Sequence, residues 1–93
     1  MKTIYKYRIP RREEFDLVLP KHARVVRVAP QRGEAFMWAL VDTEQPDVRV
    51  TFKVVGTGQE VGEAYYMHSW EDGDFIWHLF YVSEDQSVGE NKA

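Results

Sequence analysis

From Val48 to Val54 the chain takes strict turns: Val48, Val50, Phe52 and Val54 alternate with Arg49, Thr51 and Lys53. A period of two sends the apolar side chains to one face of a strand and the polar ones to the other, so this segment predicts a strand with one buried and one wet face. Residues 4–9 alternate more weakly and stop at Pro10, and residues 15–20 form a second short run closed by Pro20. Both predict strands that end where proline removes a ladder donor. Residues 23–29 are rich in valine and lead into Pro30-Gln31-Arg32-Gly33, which carries the turn chemistry of a hairpin. The returning run, residues 35–41, is apolar on both faces and predicts a central strand.

Residues 42–47 contain Pro46 and read as a loop; Gly56-Thr57-Gly58 ends the alternating strand, and residues 59–63 continue that second loop. Residues 64–70 and 75–82 flank Glu71-Asp72-Gly73-Asp74, a strong hairpin signal with Asp72-Gly73 as its two-residue turn. There is neither an internal repeat nor a helical period. Seven short strands with regular turn signals predict an all-β domain, a small antiparallel β-sandwich or open barrel, over residues 1–82, followed by a polar tail at 83–93.

These turns set registers. With Asp72-Gly73 as the turn, His68 stands opposite Trp77 and Met67 opposite His78, so the two histidines point to opposite faces and cannot share a metal. Tyr66, His68 and Trp70 then share one face with Phe75, Trp77 and Leu79, and Tyr65, Met67 and Ser69 share the other with Ile76, His78 and Phe80. With Arg32-Gly33 as the other turn, Arg27 falls opposite Trp38, a cation–π pair worth ~0.5–1 kcal/mol at an exposed site.

Composition narrows the class. A chain of 93 residues supports one core. The absence of cysteine removes disulfides, thiol nucleophiles and cysteine-based zinc sites. No segment approaches the ~20 apolar residues of a membrane span, and Met1-Lys2-Thr3-Ile4-Tyr5 is not a secretory leader, so a cytoplasmic protein away from membranes is expected. The net charge of −3 hides an asymmetry: residues 1–32 carry nine Lys or Arg against three acids, and residues 33–93 carry three against twelve. The two halves either pair with each other or leave one face attractive to anions, the former being the simpler reading. Bulk nucleic-acid binding is disfavoured, because it calls for an overall basic domain.

Candidate chemistry is sparse. Glu71, Asp72 and Asp74 cluster at a solvated hairpin tip, Gly56-Thr57-Gly58 lacks the lysine and following helix of a phosphate loop, and no serine sits in a nucleophile elbow. No enzyme, metal or cofactor is expected. What remains is aromatic and basic: Trp38 together with the tyrosines, tryptophans and phenylalanines from Tyr65 to Tyr81 exceeds what one small core needs to bury. An aromatic–arginine site that stacks a base and grips a phosphate is therefore expected, drawn from Arg24, Arg27, Trp38, Tyr66, Trp77 and His78. Both faces of the last hairpin are mainly apolar, which predicts cover from a ligand or from a second subunit of a homo-oligomer.

Thr3-Ile4-Tyr5-Lys6-Tyr7, Leu19-Pro20, Trp38-Ala39-Leu40-Val41-Asp42, Thr51-Phe52, Gly56-Thr57-Gly58 and Trp77-His78-Leu79-Phe80 resemble a family of small phage and prophage proteins that share a domain of unknown function. The resemblance spans roughly residues 3–80. It implies a compact β-rich fold and a phage-type context, with the host cytoplasm as the place of action. The chain departs from it after Gly58, where Gln59-Glu60 replaces the family's His-Pro. The expected function is non-enzymatic binding: counter-defence by sequestering a nucleotide-like anion in an oligomer, or alternatively a protein–protein module that inhibits a host defence protein or joins a virion.

Overall fold

In the computed structural model, which describes residues 1–86, every predicted alternation becomes a strand. They are β1 (Lys2–Ile9), β2 (Glu14–Pro20), β3 (Arg24–Gln31), β4 (Glu34–Asp42), β5 (Asp47–Gly56), β6 (Tyr65–Asp72) and β7 (Phe75–Asp85). All pairings are antiparallel, and they make a three-stranded sheet in the order β1-β4-β3 and a four-stranded sheet in the order β2-β5-β7-β6. The sheets do not close on one another, so the sandwich describes the molecule and the barrel does not. β7 runs to Asp85, three residues past the boundary drawn at Val82; the rest of the polar tail, residues 87–93, lies outside the described residues.

The core follows from the alternation. β5 turns Val48, Val50 and Phe52 inward, β2 contributes Phe15 and Leu19, β7 contributes Leu79, and the opposing sheet supplies Ile9, Val28 and Met37. Phe15 and Phe52 stack across β2 and β5 with centroids 5.5 Å apart. No polar or charged residue is buried among the described residues, so this interior is apolar throughout. Along one side the edge strands β3 and β6 meet, where the His68 ring donates from Nε2 to the Val25 carbonyl at 3.1 Å.

The β3–β4 turn is as read, with Arg32 and Gly33 both left-handed (φ 52° and 81°), the geometry of a type I′ hairpin. The β6–β7 turn is not. Asp72 pairs with Phe75, which makes Gly73-Asp74 the turn. Glycine takes the first central position at φ 61°, as a type II′ turn requires, whereas Asp72-Gly73 would put a residue with a Cβ there. The ladder therefore slides two residues along β7, so that Trp70 faces Trp77, Ser69 faces His78 and His68 faces Leu79. A slide of two preserves faces. A bulge between Tyr66 and His68 does not, and it turns Tyr66 to the side of Phe80 rather than that of His68 and Trp70.

Candidate functional site

Strand β4 is central in its sheet and is apolar on both faces for two different reasons. Met37, Ala39 and Val41 are buried in the core, whereas Phe36, Trp38 and Leu40 lie half-exposed on the outer face. Register builds that face outward from them. Ile4, Leu40 and Arg24 form one row, Lys6, Trp38 and Arg27 the next, and Arg8, Phe36 and Ala29 the third. A bulge between Val25 and Arg27 keeps Arg24 and Arg27 on the same outer side and brings Val26 out with them, 42% exposed.

Cations dominate the face. Lys6 reaches across β4 to hydrogen-bond the Gln31 side chain at 2.7 Å, and its ammonium lies 4.2 Å from the Phe36 ring centroid and 5.5 Å from that of Trp38. Arg27 stands opposite Trp38 in register, as expected, yet the cation over the ring is Lys6. Arg8 pairs with Glu34 at 2.6 Å, an exposed ion pair worth ~0.2–1 kcal/mol. The Arg24 and Arg27 side chains have no hydrogen-bond or ion-pair partner among the described residues. At the far end of β4, Asp42 holds the N-terminal ammonium at 3.5 Å. The Glu44 backbone N–H, donating to Asp42 at 3.0 Å, is the main reason this carboxyl sits below the usual carboxylate range, with the N-terminal charge adding to it.

The six expected residues fall in three places. Arg24, Arg27 and Trp38 come together on this face. Trp77 lines a cavity of about 470 Å³ at one end of the sandwich, with Trp70, Ile9, Pro10 and Val54 among its apolar walls. The polar walls of that cavity carry both signs, Arg8, Arg11 and Arg12 against Glu13, Glu34 and Asp72, so it has no net pull on an anion. Backbone packing fixes Trp77 there: a Cβ on Gly56 would stand 3.1 Å from the indole. Tyr66 and His78 lie on the outer face of the other sheet. A sandwich separates its two outer faces by the whole core, so these six side chains do not form one pocket.

Tyr66 and His78 belong to a hydrogen-bonded chain of their own. Ser69 Oγ lies 2.8 Å from the Tyr66 hydroxyl and 2.6 Å from His78 Nδ1, and His78 Nε2 lies 2.9 Å from Thr57 Oγ1. His78 is thus satisfied by two hydroxyls. On the inner side, burial raises the Tyr7 hydroxyl above its ordinary pKa, helped by Tyr5 and Asp47, and burial likewise raises Tyr81, helped by Glu84 and Tyr65.

Lys6, Arg8 and Phe36 were absent from the expected site, although the signal for them exists. Even-numbered positions of β1 are Lys2, Ile4, Lys6 and Arg8, and a strand next to Trp38 with that parity must line the same face. No helix among the described residues is long and apolar enough to cross a membrane. No curated protein and no solved structure matches the chain. A family model does match, over residues 1–90 and so across both sheets and the outer face described above: the chain belongs to the domain of unknown function DUF7352.

Proposed function

We propose that this domain is a non-catalytic binding protein whose β1-β4-β3 face takes a nucleotide-like anion. One observation carries the reading: in the row Lys6–Trp38–Arg27 a half-exposed indole stands between two cationic side chains on neighbouring strands, the Lys6 ammonium 5.5 Å from its ring centroid. A planar ring stacks on the indole while phosphate oxygens reach the ammonium and guanidinium, the two interactions by which aromatic–basic surfaces hold nucleotides. The resemblance to small phage and prophage proteins supports a setting in counter-defence, where sequestering such an anion denies it to the host, and the apolar hairpin supports assembly into an oligomer. Titration with nucleoside mono- and diphosphates, followed by tryptophan quenching and calorimetry, tests the face. Trp38→Ala combined with Arg27→Ala abolishes binding in a folded protein; unaltered binding by that variant overturns the reading.

A second reading rests on a separate observation. Tyr65 and Tyr66 at the start of β6 and Phe75 at the hairpin turn are 71%, 61% and 65% exposed, large apolar side chains without cover in the single chain, spread over both faces of the hairpin. That exposure supports a protein–protein module, either between copies or with a host or phage protein. A charge at Phe75 or Tyr66 then changes the oligomer mass or the capture of the partner.

A further inference from the structure

We propose that the ligand of the β1-β4-β3 face is an extended single strand of nucleic acid several nucleotides long, rather than a free mononucleotide. The inference rests on the reading of that face as a site for a nucleotide-like anion and deepens it. Phe36, Trp38 and Leu40 stand in file along β4, and residues two apart in a strand are about 7 Å apart. Lys2, Lys6 and Arg8 flank the file on β1, and Arg24 and Arg27 flank it on β3. Since neighbouring strands are ~4.8 Å apart, the two cationic banks lie about 10 Å from each other with the apolar file midway. A mononucleotide engages one row. Three consecutive rows, each with an apolar centre and at least one cationic end, repeat along a direction that an extended chain of bases and phosphates follows.

Overall charge argued against nucleic acid, and the fold removes that objection locally. The acids of this face, Glu34 and Asp42, stand at the two ends of β4, where Arg8 and the N-terminal ammonium already engage them. The middle rows carry Lys6, Arg24 and Arg27 with no acid between them. A sheet face without a projecting helix or loop has nothing to insert into a duplex groove, which leaves single strands, whose unstacked bases are free to lie on side-chain rings. Lys6 covers the rings of Phe36 and Trp38 in the unliganded chain and is held there by one exposed hydrogen bond to Gln31. It can move from ring to phosphate as a base takes its place. An acidic peptide would satisfy the cations and leave the aromatic file unused.

The test is fluorescence anisotropy with a labelled oligothymidylate of about twelve nucleotides at about 50 mM salt, with thymidine monophosphate and polyglutamate as competitors. The expected result is that the oligonucleotide binds at least ~10-fold more tightly than the monophosphate, and that log affinity falls with log salt with a slope of about −2, the value for roughly three phosphates on a single strand. Trp38→Ala weakens oligonucleotide binding about 10-fold, and Trp38→Phe, which keeps a ring, retains most of it. Equal affinity for oligonucleotide and monophosphate overturns the single-strand inference and leaves the nucleotide reading standing. Binding of neither overturns both. Competition by polyglutamate as effective as unlabelled oligonucleotide assigns the face to an acidic protein segment instead.

Discussion

Reversing the charge at Arg27 separates binding from folding. The side chain is exposed and has no hydrogen-bond or ion-pair partner among the described residues, so Arg27→Glu breaks no contact described in the free protein. Exposed substitutions of this kind change stability by at most ~0.5 kcal/mol, equivalent to a few degrees in Tm for a domain of this size. Binding responds differently. A phosphate oxygen about 4 Å from the guanidinium gains ~1 kcal/mol in a fully aqueous dielectric and ~4 kcal/mol at a partly desolvated surface, and the open face places Arg27 nearer the lower limit. Losing ~1 kcal/mol of attraction and adding a similar repulsion gives ~2 kcal/mol, a weakening of about 30-fold. Calorimetric titration of the variant with a nucleoside diphosphate at low salt, beside a urea melt of the same sample, reads both quantities. The deficit should shrink as salt is raised, because exposed charges are screened within about 10 Å at 0.1 M. A folded variant that binds as the unaltered protein does would refute the assignment of the face. A variant that loses binding and several kcal/mol of stability together would show that Arg27 holds the fold and would refute its exposed, unpartnered description.

Three further outcomes follow from the fold. Leu79 is fully buried in the core cluster that also holds Trp70, and Leu79→Ala should lower stability by about 3 kcal/mol in a urea melt; a loss below ~1 kcal/mol would contradict this core. Gly73→Ala should cost about 1 kcal/mol, because an L side chain at φ 61° is strained even with open space around it, while Asp74→Ala should be nearly neutral; equal costs would put the turn back at Asp72-Gly73. Tyr7 and Tyr81 have hydroxyl pKa values raised by burial, so both keep their protons in the folded chain at pH values where the unfolded chain loses them. Their contribution is fully present below the unfolded pKa of ~10 and is lost as pH rises through the higher folded values. Stability should be flat from neutral pH to about pH 9 and then fall, and Tyr7→Phe should flatten that alkaline decline.

Much of this architecture was legible because alternation is a local property. The Val48–Val54 pattern fixes which side of β5 is buried, and the turn at Arg32-Gly33 fixes Arg27 opposite Trp38. The β6–β7 register was less accessible, since Asp72-Gly73 and Gly73-Asp74 are both sound two-residue turns and only the position that needs a left-handed φ decides between them. The bulge beside Met67 leaves no mark in an alternating run, which is why Tyr66 changed sides. The site was half visible for a related reason. Pairing within a hairpin can be read from its turn, but which strand flanks β4 on the other side depends on the sheet order, and β1 brings Lys6 and Arg8 opposite Trp38 and Phe36, far from them in sequence. Charge balance is a whole-chain figure and does not show placement: the acids that β4 brings to the face shared by the basic residues of β1 and β3, Glu34 and Asp42, stand at its two ends.

The most direct test uses the three tryptophans as reporters of separate places. Trp38 lies on the outer face of the three-stranded sheet, and Trp70 and Trp77 line the cavity at the end of the sandwich. Each indole N–H gives its own resonance in a nitrogen–proton NMR spectrum, and titration with a nucleoside diphosphate follows all three at once. The expected result is that the Trp38 indole shifts most, together with the backbone amides of Lys6 and Arg27, while Trp70 and Trp77 stay in place. Movement of Trp70 and Trp77 with Trp38 fixed would transfer the site to the end cavity, and an unchanged spectrum at saturating nucleotide would remove nucleotide binding altogether.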